Sequence, residues 1–369
     1  MSDNILDIQN IVTAEELEEI VDKQIDYLFA HPEKAHRIPP LMIWGAPGVG
    51  KSSIVRRVAE KKNISFIDIR LAQREPVDIR GLPVPGEDSV RWLVSSDWPR
   101  DRESRGIIFF DELTAADRSL QVAAYELILD RRLGDLYQLP DGWYICGAGN
   151  RVEDNAVAVA MSSALANRFM HVELREDIDS WIKWGIRNSI HPLVLGFIRF
   201  KPENLFRQEN ENLERGWPSP RSWERVSIVL ESFDNQWNDI VAKMVYGLIG
   251  RATGGEFAEF FQNNLKFADV RAAMLKGGNI AIPEKPDECY AFCSAVTYYL
   301  WSAENAQEEA ALMDGFFRIL TRLPKAFAGM TMLDAMSETQ KHTALEAVRL
   351  ISGHPEYAMW AKSSGFRPR

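Results

Sequence analysis

The stretch Gly45-Ala46-Pro47-Gly48-Val49-Gly50-Lys51-Ser52-Ser53 sets glycines, a lysine and two hydroxyls in one turn after the apolar run "LMIWG". Glycines let a backbone wrap closely around phosphates, and a following helix adds partial positive charge at its N-terminus. In this pattern Lys51 reaches the β and γ phosphates of a nucleotide, and the Ser52 hydroxyl can ligate Mg²⁺. A second stretch, "GIIFFDELTAAD", runs through Ile107 to Phe110 and then carries Asp111 and Glu112, about sixty residues further on. A buried strand that ends in two carboxylates beside a phosphate loop supplies Asp111 to hold Mg²⁺ through water and Glu112 to orient an attacking water. A kinase needs no water-activating carboxylate there, so the pair points to hydrolysis. A third stretch, "WYICGAGN", ends at Asn150. Its neutral amide can hydrogen-bond the γ phosphate or that water without adding charge to an anionic site.

Such residues converge only if strands deliver them to one edge. Between about residue 38 and residue 175 the apolar runs "LMIWG", "SFIDI", "GIIFFDE", "WYICGAGN" and "FMHVEL" alternate with helix-like segments such as "KSSIVRRVAEKK" and "RSLQVAAYELILDRR". That alternation predicts an α/β domain, a parallel sheet flanked by helices, with its ligand at one edge of the sheet. Upstream, "TAEELEEIVDKQIDYLFAH" offers Thr13 as N-cap with Glu16 three residues on, and its acidic run reads as a solvated helix face. After Asp177 the strand patterns stop and the chain reads as helical, with loops at "KPENLFRQENENLERGWPSPRSW" and "KGGNIAIPEKPDE".

Composition narrows the classes. A chain of 369 residues, 46% apolar and 10% aromatic, can fill two or three cores. The formal charge of −10 disfavours non-specific attraction to phosphate backbones and makes nucleic acid an unlikely partner. There is no apolar run of about eighteen residues, and "MSDNILDIQN" lacks the regions of a signal peptide, which predicts a cytoplasmic protein without a membrane segment. Cys146, Cys289 and Cys293 read as buried thiols and not as a disulfide framework or metal site. The six histidines form no metal-ligand spacing, and Trp181 with Trp184 reads as helix packing. No catalytic serine, cysteine protease or zinc hydrolase signature is present.

In this order and at these intervals, "GAPGVGKSS", "IIFFDEL", "GAGNR" and "SSALANRF" resemble the Walker A, Walker B, sensor 1 and arginine-finger regions of an AAA+ ATPase, specifically of the MoxR-like, dynein-related group. The segment Arg74 to Asp101 resembles that group's hairpin insertion, and "SPRSWERV" resembles its sensor 2. The resemblance implies a P-loop AAA+ fold: an N-terminal helix and lead-in over 1–37, a large nucleotide-binding domain over 38–178 with a hairpin near 82–98, a helical lid over 179–285, and a C-terminal helical segment over 286–369. ATP with Mg²⁺ is then expected between the large domain and the lid. The resemblance also implies that Arg168 enters the nucleotide site of a neighbouring subunit, where its charge meets the γ phosphate. The alternative is an arginine capping a strand or pairing with Glu173; Arg151 and Arg175 are weaker competitors for the finger. Arg221 resembles the sensor 2 arginine of the lid.

A site completed in trans requires a homo-oligomer, and the family points to a ring of six subunits. The turn Gly86-Glu87-Asp88, between short apolar runs, predicts a protruding hairpin that faces the ring axis or a partner. What the group's habit implies is chaperone-like remodelling or activation of a protein, often with a von Willebrand factor A domain partner. Other readings are an McrB-like motor acting on nucleic acid and a nucleotide-gated binding scaffold. No N-K-x-D motif for guanine occurs. "CYAFCSAVTYYLW" and "DGFFRILTRLPKAFAGMTML" suit a buried helical pair, and the sequence gives no ground for choosing between completing the lid and forming a docking surface.

Overall fold

The computed structural model describes residues 10–150, 161–207, 216–264, 269–277 and 280–366, and the chain divides into two units, Met1–Glu176 and Asp177–Arg369. In chain order the first unit runs β1 (Ile11–Val12), α1 (Ala14–Ala30), β2 (Leu41–Trp44), α2 (Lys51–Lys61), β3 (Ser65–Arg70), α3 (Pro76–Arg80), β4 (Leu82–Pro85) and β5 (Val90–Leu93). It continues through β6 (Gly106–Asp111), α4 (Arg118–Asp130), β7 (Arg132–Leu133), β8 (Tyr137–Gln138), β9 (Trp143–Gly149), α5 (Ser163–Ala166) and β10 (Met170–Leu174).

The main sheet has six strands in the order β1-β10-β2-β9-β6-β3, every pairing parallel. Strands buried on both faces show near-continuous apolar runs instead of alternation. Accordingly Gly106 to Phe110 and all of β9 are buried. Because the strands are parallel, the ends of β2, β6 and β9 reach one edge, and their starts lie at the opposite edge. The α1 start is fixed by the expected capping box: Glu16 N donates to Thr13 Oγ1 at 3.3 Å, and Thr13 N donates to Glu16 Oε2 at 2.8 Å. Along α1 the acids pair with α2 and its C-terminus, Arg57 with Glu18 at 2.6 Å and Lys62 with Asp22 at 2.9 Å.

Strands β4 and β5 form a separate antiparallel hairpin in register from Leu82↔Leu93 to Pro85↔Val90, closed by Gly86 N donating to Ser89 O at 2.7 Å. Leu82, Val90, Trp92 and Leu93 are all exposed, so its apolar residues have no core of their own. Its base is fixed by buried Trp98, whose Nε1 donates to Ile79 O at 3.3 Å, and by the Arg74–Asp97 pair at 3.1 Å.

The second unit is helical throughout its described residues: α6 (Ile178–Arg187), α7 (Pro192–Phe200), α8 (Pro220–Ser232), α9 (Asp239–Ile249), α10 (Arg251–Asn264) and α11 (Val270–Lys276). There follow α12 (Pro286–Leu300), α13 (Ala306–Leu320), α14 (Lys325–Ala335), α15 (Ala344–Ser352) and α16 (Pro355–Ser364). One core joins them. Phe197, Trp223, Phe257 and Phe261 form its aromatic centre, with Trp223 edge-on to Phe257 at 5.4 Å, and Phe292, Phe316 and Phe317 extend it. Trp181 is buried in this core, and the partly buried Trp184 packs against it. The segment after residue 285 is therefore part of the same core as α6 to α11. None of the described helices is long and apolar enough to cross a membrane.

Candidate nucleotide site

The β2 strand feeds the phosphate loop, and Gly50 closes it at φ 98°, a left-handed conformation that glycine adopts without strain at the N-cap of α2. Ala46 and Val49 turn inward, while Pro47 and Gly48 remain partly exposed. Lys51 opens α2 with its ammonium inside the loop: Nζ donates to Gly45 O at 2.6 Å, Ala46 O at 3.0 Å and Asn150 Oδ1 at 3.0 Å. A cation already held against oxygen acceptors at this position fits phosphate oxygens equally well. Asn150 reaches it because β9 lies beside β2, with Gly149 opposite Trp44.

Asn150 is itself held by Thr114. The Asn150 amide donates to Thr114 Oγ1 at 3.2 Å, and that hydroxyl donates to Asn150 O at 3.4 Å. This close approach requires Gly149, where an added Cβ would meet Thr114 Cγ2 at 2.6 Å. Strand β6 delivers Asp111 and Glu112 to the same edge. Glu112 lies at φ 55°, a region sparsely used by residues other than glycine, and its N–H donates to Asp111 Oδ1 at 2.9 Å. Strain held at such a position is common where a side chain has to be aimed. One carboxylate oxygen of Asp111 thus has a backbone donor and the half-buried group keeps accepting capacity; its carboxylate and the Ser52 hydroxyl are hard oxygen donors of the kind Mg²⁺ takes. Ser53, next along α2, is exposed.

One further acid belongs to this electrostatic setting. Asp68 of β3 lies opposite Phe109 in the register, on the face that Asp111 shares. Burial, reinforced by the charge of Asp111, pushes its carboxyl above the usual range, and Arg56 on α2 partly offsets this at 3.0 Å. Neither Thr114 nor Asp68 is singled out by sequence reasoning. Their only signal is a polar residue inside an otherwise apolar run, "DELT" and "SFIDI".

The remaining expected residues lie elsewhere. Arg168 precedes β10, at the sheet edge opposite the phosphate loop of its own chain. It is exposed and makes no ion pair with a described residue. Glu173, the acid considered as its partner, is paired with Arg175, whose Nε stands 2.7 Å from it. Arg151 lies outside the described residues. Arg221 belongs to the second unit, exposed in the first turn of α8 behind the N-cap Ser219.

Residues 41–170 match the model of the family described as ATPase family associated with various cellular activities (AAA). This segment is an AAA ATPase domain. The match runs from the first residue of β2 to the first residue of β10, so the AAA domain contains the phosphate loop, Asp111, Glu112 and Asn150. Domains of this family bind and hydrolyse ATP. Among curated proteins, Midasin of Giardia intestinalis is 28% identical over 170 residues, 43% of this chain. The match spans 4% of that relative's length. Among solved structures, the RuvB Holliday junction branch migration motor of Thermotoga maritima is 15% identical with a TM-score of 0.35, covering 78% of this chain and 90% of that one. NtrX of Brucella abortus is 14% identical with a TM-score of 0.35, covering 82% of this chain and 66% of that one. The assignment of the AAA domain rests on the family match and the fold, not on these structural likenesses.

Proposed function

We propose that the chain is a cytoplasmic, ring-forming ATPase of the MoxR-like kind that uses ATP hydrolysis to remodel or activate a protein partner. The observation that carries the ring is Arg168. The site within one chain offers Lys51, Asn150, Asp111 and Glu112, while Arg168 stands exposed and unpaired with described residues at the other edge of the sheet. From there it lies away from its own phosphate loop, and in the proposed assembly it serves the nucleotide of a neighbour through a head-to-tail contact that closes into a ring. Six subunits is the number the resemblance suggests.

When bound, ATP with Mg²⁺ supplies the γ phosphate and a metal charge that neutralises its oxygens. Gly45, Ala46, Pro47, Gly48, Val49, Gly50 and Ser53 would wrap the phosphates, Lys51 would turn its ammonium from loop carbonyls to phosphate oxygens, and Ser52, with Asp111 through water, would hold the metal. Glu112 takes the proton of the attacking water, and Asn150, fixed by Thr114, orients that water. Arg168 of the neighbour stabilises charge on the transferred group, and Arg221 contributes from the helical unit as sensor 2. The exposed apolar hairpin of β4 and β5 supports contact with a protein, for which a von Willebrand factor A domain is the proposed type. ATP turnover per chain, measured over a wide range of chain concentration with molecular mass followed in parallel, tests the reading. Specific activity should climb as assembly proceeds, and Arg168→Ala should assemble and bind ATP without turnover. Equal activity in monomers, or an unimpaired Arg168→Ala, would overturn it.

A further inference from the structure

Where β2, β9 and β10 begin, on the sheet edge opposite the phosphate loop, a cavity of about 260 Å³ opens between Arg37, Arg131 and Arg168. His36 stands beside them, Ile38 and Ile128 contribute apolar wall, and none of the described lining residues is acidic. Arg37 and Arg168 are exposed, and neither makes an ion pair with a described residue. Arg131 differs, being only 6% exposed. Its Nη2 donates to the carbonyls of Pro140 at 2.9 Å and Trp143 at 2.8 Å, whereas its Nε is buried without an acceptor among the described residues. The residue sits at φ 55° as the C-cap of α4, a place that glycine or asparagine usually fills. Asp141 is the acid that acts on Arg131, and it lies outside the cavity wall.

Guanidinium groups gathered around one cavity repel one another unless an anion lies among them. A buried arginine with an unmet N–H is the side chain best matched to the oxygens of a phosphate, which it engages through a planar fork. We propose that this cavity is a second phosphoanion site, distinct from the phosphate loop, with Arg37 and Arg168 closing over a ligand seated on Arg131. The phosphate group belongs to a free phosphorylated small molecule held within one chain. The site itself does not depend on the trans role of Arg168, since Arg37 and Arg131 decide it.

The test uses the full chain carrying Lys51→Ala, which disables its own phosphate loop, titrated calorimetrically with tripolyphosphate at fixed ionic strength. Binding should persist, and adding Arg37→Ala should weaken it about tenfold, the loss expected for one charge-assisted contact. Arg131→Lys, which keeps the charge and loses the fork, should weaken it similarly. Should that buried variant fail to fold, the exposed Arg37→Ala decides alone. Absence of binding in the Lys51→Ala chain, or binding indifferent to Arg37→Ala, overturns the site. Mixing Arg37→Ala chains with Lys51→Ala chains then separates this site from a nucleotide site completed in trans. Turnover above the sum of the two alone would mean that Arg37 serves a neighbour's nucleotide and overturns the second site, and turnover at that sum, with tripolyphosphate still bound, supports it. A failed ring reading would show separately, as ATP turnover independent of chain concentration.

Discussion

Thr114 holds Asn150 through the main chain on both sides of its α-carbon, so the amide that faces Lys51 has little freedom to turn away. Replacing Thr114 with valine keeps the shape and removes the hydroxyl. ATP turnover should then fall about tenfold while ATP affinity barely moves, the effect of one misplaced hydrogen-bonding partner worth ~1.4 kcal/mol. Thr114→Ser should restore turnover; a valine variant with unchanged turnover would remove Thr114 from the site. Glu112→Gln is a harsher change at the same edge. It should bind ATP normally and lose at least about a hundredfold in turnover, the lower end of what a general base contributes. Lys51, Asp111, Glu112 and Asn150 can be read from the sequence because each sits at a fixed short distance from a strand end with a distinctive pattern. Thr114 cannot, since its role depends on a strand thirty-six residues away passing close enough for Gly149 to be obligatory. The left-handed backbone of Glu112 leaves no trace in its residue type.

At the scale of elements, the hairpin and the helix α7 make different demands. The β4–β5 turn is legible from Gly86 and its neighbours, and the exposure of Trp92 and Val90 means the hairpin contributes little to the core. Deleting Pro85 to Asp88, or replacing Trp92 with serine, should leave basal ATP turnover intact and stability within about 0.5 kcal/mol for the point change. Stimulation by a protein partner should be lost, and an equal loss of basal turnover would show that the hairpin belongs to the ATP site. Strands β1, β7 and β8 are two residues each, too short for any periodicity, and only tertiary pairing defines them. Helix α7 begins behind buried His191, whose Nδ1 accepts from Leu193 N at 3.2 Å, and burial pushes its pKa down to about 4. Because the folded value lies below the unfolded value of about 6.5, the folded state refuses a proton that the unfolded state accepts between those limits. Stability is therefore full above about pH 6.5 and falls by up to ~1.4 kcal/mol per pH unit as the pH drops toward 4. His191→Asn keeps an N-cap acceptor without titrating. Urea unfolding midpoints at about pH 7 and about pH 5 should shift less in this variant than in the parent chain, and equal shifts would mean that His191 is protonated in the fold.

Over the whole molecule, the chain divides near residue 176, and one buried core runs through the helical half on both sides of residue 285. Sequence periodicity finds the helices of the C-terminal segment but cannot say which apolar faces meet, because that is decided by partners about a hundred residues apart. Gly196 of α7 makes the point. A Cβ there would come within 2.8 Å of Ala291 Cα on α12, so the two helices meet backbone to backbone with no room for a methyl group. A polypeptide of residues 177–285 would expose the faces of α7 and α10 that α12 covers and the face of α11 that α13 covers, and it should show no cooperative unfolding transition. Residues 177–369 should unfold in one cooperative step, and they should not bind ATP, since the phosphate loop lies in the other half. Gly196→Val in the full chain should lower that helical transition by about 1–3 kcal/mol, the usual cost of overpacking, while ATP binding is retained. Calorimetry of these polypeptides decides the matter: a cooperative transition in residues 177–285 alone would mean that the C-terminal helices are an addition to a core already complete, available to bind something else.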